Sequence, residues 1–123
     1  MDRTKEETFV KRYIRESNQA RFLFELFTPK HRKKALSRFA HGADQILKSG
    51  YQKIGVNDLS FLRGVKSAYV IPSDGDVDGA ERTGEEIYAI CSREASPVVV
   101  IGVGFAVVRE EFEQGAPAIY LFR

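Results

Sequence analysis

The chain has 123 residues, 43% of them hydrophobic and 29% charged, with one cysteine and no tryptophan. That length fits a single domain, read as 1–123, able to bury roughly two thirds of its unfolded surface without a disulfide or metal staple. Globular composition excludes disordered and collagen-like classes, the lone Cys91 excludes an internal disulfide, and the longest apolar run, Val98 to Val108 broken by Gly102 and Gly104, is too short for a bilayer span.

The N-terminus is charged where a secretory signal would be apolar, so a cytoplasmic domain is expected. The formal net charge of +2 conceals an asymmetry. Residues 1–64 carry 14 Lys/Arg against 7 Asp/Glu, and residues 65–123 carry 5 against 10. Such a division suits either mutual attraction of the halves or a basic face for an acidic partner.

Thr4 with Glu7 has the form of a capping box, opening a helix whose apolar residues run from Phe9 through Tyr13, Leu23 and Phe27. Ser17 and Asn18 prefer caps and can interrupt it. The phenylalanines at helical spacing, Phe9, Phe22, Phe24, Phe27 and Phe39, are expected in the core. Because this segment is apolar over more than half its circumference, a homodimer surface is the other outcome for it.

Thr28-Pro29 marks the next start, with threonine as N-cap and proline in the first helical position. Leu36, Phe39, Ala40, Ala43, Ile46 and Leu47 keep helical order, which predicts one unbroken helix to Ser49 with Gly50 closing it. A short helix over 58–63, capped by Asn57 and ended by Gly64, is expected next.

The second half changes period. Ser67 to Ile71 reads as a strand stopped by Pro72, followed by a polar loop from Ser73 to Arg82. Thr83 and Glu86 form a capping box for a helix that buries Ile87, Ile90 and Cys91. Val98 to Ile101 is a β-branched run suited to burial on both faces. Strands follow over 105–110 and 118–122, with a glycine turn between 101 and 105. The expected class is α+β: an N-terminal helical hairpin on a mixed sheet of about four strands, in β-α-β-β-β order with a right-handed crossover.

Two features carry candidate chemistry. Asp74, Asp76, Asp78 and Glu85 satisfy the calcium-loop spacing D-x-D-x-D-G-x5-E, in which oxygens converge on one cation and Gly79 permits the turn. The strand before the loop, Glu81 at the position usually apolar, and the single copy all depart from an EF-hand. The acidic turn equally suits aspartates bonded to their own backbone. The second feature is the row Lys30, Lys33, Lys34, Arg38, His41 and Lys48, which falls on one side of the expected 29–49 helix, opposite Leu36 and Phe39. Such a row can lie along a phosphate backbone, with Arg12, Arg15 and Arg21 extending it.

Catalytic constellations are thin in the sequence: Glu110, Glu111 and Glu113 lie near a strand end, where they can join the aspartate loop in an acidic site, and a hydrolase stays conceivable without a specific motif for it. His31 and His41 have no metal-ligand spacing, Cys91 lies on an apolar stripe, and no serine has a nucleophile-elbow context. Gly102 and Gly104 suit a hairpin better than a dinucleotide fingerprint, because only 16 residues follow Val107. The expectation is a small non-enzymatic binding or regulatory domain with no cofactor, engaging nucleic acid or an acidic protein through the basic helix face. The alternatives are a calcium-type cation module and an immunity-type protein-interaction domain acting through the acidic half.

Overall fold

A computed structural model describes residues 2–72, 78–112 and 115–123. Three helices come first, α1 (Arg3–Tyr13), α2 (Glu16–Phe27) and α3 (Pro29–Ser37). A 3₁₀ turn (Ala43–Gln45), strand β1 (Gln52–Ile54) and a 3₁₀ helix (Val56–Gly64) lead to the second half. There β2 (Ser67–Pro72), β3 (Ala80–Thr83), α4 (Gly84–Arg93), β4 (Val98–Gly102), β5 (Phe105–Arg109) and β6 (Ile119–Phe122) follow.

The α+β class and the N-terminal helices stand as read, and the sheet is corrected. It has six strands in the order β1-β6-β5-β4-β2-β3, with every neighbouring pair antiparallel. The mixed four-strand sheet fails because two edge strands carry little apolar signal. β1 reads Gln-Lys-Ile and β3 reads Ala-Glu-Arg-Thr, and each pairs along one side only. The extra turn into β3 reverses the chain before α4, so β4 returns antiparallel to β2.

The sheet is packed on both faces. Val99, Ala106, Val108, Tyr120 and Phe122 face a core built with α1, α2 and α3. Val98, Val100, Val107, Ile119 and Leu121 face α4 and the 3₁₀ helix of 56–64. Strict alternation along β4 and β5 explains why the valine run is continuous: each residue is buried whichever way it points.

The first helix is corrected in its cap and in its break, which falls at Ile14 and Arg15, ahead of Ser17 and Asn18. Its capping residue is Asp2, whose side chain accepts from the Lys5 N–H, and not Thr4. The chain leaves helical geometry at Ile14, which pairs as an isolated bridge with Leu47. Splitting the helix lets α1 and α2 bury separate stripes. Phe9, Phe22 and Phe39 meet in the core, with Phe22 and Phe39 ring centroids 5.3 Å apart. Phe24 does not join them.

The expected rod from Pro29 to Ser49 stops at Ser37. Gly42 takes φ +62°, a left-handed conformation that keeps the chain from resuming the helix, and residues 46–48 run beside the α1–α2 junction. The Arg15 N–H donates to the Ile46 carbonyl at 2.8 Å and the Lys48 N–H to the Tyr13 carbonyl at 2.7 Å. Ile46 and Leu47 keep helical spacing from Phe39, yet they reach the core through a turn. Spacing alone does not separate the two outcomes.

The second capping box forms as read: the Thr83 hydroxyl accepts from the Glu86 N–H, and the Glu86 carboxylate accepts from Thr83. Gly84 follows it, pressed against the end of the 56–64 helix. A Cβ there would sit well inside van der Waals contact of the Leu62 and Val65 carbonyl oxygens. Gly84→Ala is therefore expected to destabilise the fold by about 2–4 kcal/mol, because backbone must move to admit one methyl. Urea unfolding of the variant beside the parent chain checks this.

Candidate functional site

The structure disperses the basic row. Lys30, Lys33 and Lys34 are exposed on α3. Arg38, beyond the helix end, gives both forks of its guanidinium to Glu25 at 2.7 Å. His41 lies 3.5 Å from Glu111, and Lys48 donates to the Lys11 carbonyl at 2.9 Å. Of the proposed extensions, Arg15 clamps the carbonyls of Asp44 and Leu47, each at 3.0 Å. Only Arg21 stays by the row, 68% exposed and 3.9 Å from Glu25.

Sequence reasoning missed the aromatic member of this surface. Phe24 is 64% exposed, and the His31 ring lies beside it with centroids 5.9 Å apart at 36°. Because α2 and α3 pack against each other, Phe24 comes beside His31 of α3, and Arg21 lies near Glu25 on the same helix. The available signal was its place between Phe22 and Leu26, both buried, which leaves position 24 facing outward on a helix.

The first turn of α3 contains no acidic residue and carries Lys30 and Arg32 beside His31. Cations here oppose the helix dipole, at a cost of about 0.3–1 kcal/mol each at an exposed end. Arg32 is compensated from inside the protein. Its Nη1 and Nη2 donate to buried Glu6 at 2.6 and 2.8 Å, its Nε and Nη2 donate to Asp78 at 2.7 and 2.9 Å, and Nη1 also reaches the Leu26 carbonyl. Glu6 accepts a further hydrogen bond from the Tyr69 hydroxyl, which itself accepts from the Asp2 N–H. Desolvation disfavours the Arg32 cation, but its hydrogen bonds to Asp78 and Glu6 outweigh it and hold the pKa above the ordinary arginine value. Burial, together with donation to Glu6, pushes the Tyr69 phenol up.

Asp78 belongs to the expected cation loop, and here both its oxygens accept from Arg32. A cation at Asp78 has to displace a guanidinium. Glu85 lies 3.2 Å from Arg63 on the surface. Asp74 and Asp76 fall outside the described residues. Among the described residues, no group of three or more His, Cys, Asp or Glu is placed to hold a metal ion.

Other titratable groups have structural work. Cys91 is fully buried, and desolvation pushes its thiol up to about 12, leaving it protonated. Glu110 accepts from the Ala43 N–H at 2.9 Å and from the Tyr120 hydroxyl at 2.8 Å. Arg109 is buried and donates to the carbonyls of Glu94, Ser96 and Glu110, so it closes the end of α4. No described helix is long and apolar enough to cross a membrane. In comparison with known proteins, the chain matches no family model, no curated protein and no solved structure.

Two predictions follow from this charge distribution. Arg32→Met leaves Glu6 buried without its counter-charge and is expected to cost about 3–5 kcal/mol in chemical denaturation. Arg32→Lys is expected to recover little of that, since an ammonium cannot fork between two carboxylates. Glu25 has its pKa lowered from 4.5, chiefly by the Arg38 hydrogen bonds. Its stabilisation is therefore complete above pH 4.5 and lost as pH falls through the lowered folded value. Thermal melts of the parent and Glu25→Gln should differ at pH 7 and converge in acid.

Proposed function

We propose that this chain is a non-enzymatic binding domain for single-stranded nucleic acid, engaged by the α2–α3 surface of Arg21, Phe24, Lys30, Lys33 and Lys34. The observation that carries the reading is an exposed phenylalanine of α2 with the His31 ring of α3 beside it, on two helices that also carry exposed Arg21, Lys30 and Lys34. Lysines and arginine release counterions from phosphates, while Phe24, with His31 beside it, offers a face on which a base can stack. The same lysines without an aromatic would suit any acidic partner. Phe24 is what favours a ligand that bears both charge and planar rings.

The experiment is fluorescence anisotropy with mixed-sequence single-stranded RNA and DNA at two salt concentrations. Three or four phosphate contacts give a slope of log K against log salt of about −2 to −3. Phe24→Ala should weaken binding by about 1–3 kcal/mol, and the triple alanine variant of Lys30, Lys33 and Lys34 should flatten the salt dependence. No binding at low salt overturns the proposal. Salt-sensitive binding that ignores Phe24 overturns the stacking role and leaves phosphate contact by the lysines alone.

A further inference from the structure

We propose a second, separate site: a groove between α1 and the open end of the sheet that binds a small monocarboxylate with an apolar body. The groove has a volume of about 430 Å³, within the roughly 300–1,000 Å³ of small-molecule sites. It exists because α1, α2 and α3 cover the middle of this sheet face and leave one end bare. Ile101 is only partly buried there, and Val103, in the β4–β5 turn, is 99% exposed. One wall is the α1 stripe that includes Thr8 and Arg12; the other is Ser67 with Ile101 and Val103.

The charges select the ligand. Lys5 and Glu81 line the groove and pair with each other across it, so they cancel. Arg12 remains. Among the described residues its guanidinium has no ion pair or hydrogen bond, and the hydroxyls of Thr8 and Ser67 have none either. One uncommitted planar cation matches one carboxylate, which it can hold through two parallel N–H donors. The neighbouring hydroxyls can donate to the same anion, and Ile101 and Val103 offer an apolar surface for the rest of the molecule. A polyphosphate is the wrong match, because a single net positive charge leaves its further charges unopposed.

The test is a titration of amide chemical shifts in the full chain with octanoate, using octanamide as the neutral control. Saturable octanoate shifts are expected in α1 and the β4–β5 turn, with octanamide at least about tenfold weaker. Arg12→Gln should lose binding by a similar factor. Val103→Asp, a change at a side chain that touches nothing, should also weaken octanoate by setting a like charge at the mouth. The proposal is overturned by an absence of saturable shifts at millimolar octanoate, by equal binding of octanamide, by unchanged affinity in Arg12→Gln, or by shifts gathered around Phe24. None of these results depends on whether the chain binds nucleic acid.

Discussion

The guanidinium of Arg32 is the tie on which the arrangement of this fold depends. It joins Glu6 of α1, the last turn of α2 through the Leu26 carbonyl, its own helix α3, and Asp78 ahead of β3. Through Glu6 and the Tyr69 hydroxyl the network continues into β2. Hydrophobic burial drives the helices onto the sheet, but burial has no direction and tolerates sliding. Directional donors with fixed fork geometry do not. A charge buried this deeply adds modest net stability against an apolar substitute, yet it penalises any packing that separates it from both carboxylates. The network thus bears on which packing is adopted more than on how stable that packing is.

The same residue explains how much of the site was legible. A cation at position 32 stands three and four residues before Ala35 and Leu36, on the apolar stripe of α3, and that placement alone marks it as inward-facing. Its partners could not be named from sequence, because Glu6 and Asp78 lie 26 and 46 residues away. The outer lysines were readable from helical spacing for one helix length. Beyond Ser37 the spacing misled, and Arg38, His41 and Lys48 went to other contacts. Phe24 was counted among core aromatics because its neighbours are, although one helix cannot bury every side.

Elements with local signals were read in place. The Thr83–Glu86 box, the Thr28-Pro29 start and the Val98–Ile101 run each carry their cause within a few residues. β1 and β3 do not. Their strand geometry comes from neighbours, Tyr120 and Leu121 for β1 and Ala68 to Val70 for β3, while their own residues are polar enough to read as loop. Such polarity suits an edge, where an apolar strand would invite pairing with another chain. The acidic residues of the second half were read as one potential site. Among the described residues they separate, with Asp78 against Arg32, Glu81 against Lys5 and Glu110 against Tyr120.

The dipole cost at the start of α3 bears on why the outer lysines are there. A helix selected for stability alone would open with Asp or Glu, as α4 does with Glu85 and Glu86. α3 opens with Lys30 and Arg32 and no acid. Arg32 recovers its cost through buried Glu6 and partly buried Asp78, and Lys34 gains at the helix C-terminal end. Lys30 has neither compensation among the described residues. On the proposed reading, Lys30 and the adjacent rings of Phe24 and His31 would meet a ligand that presents phosphate and base side by side.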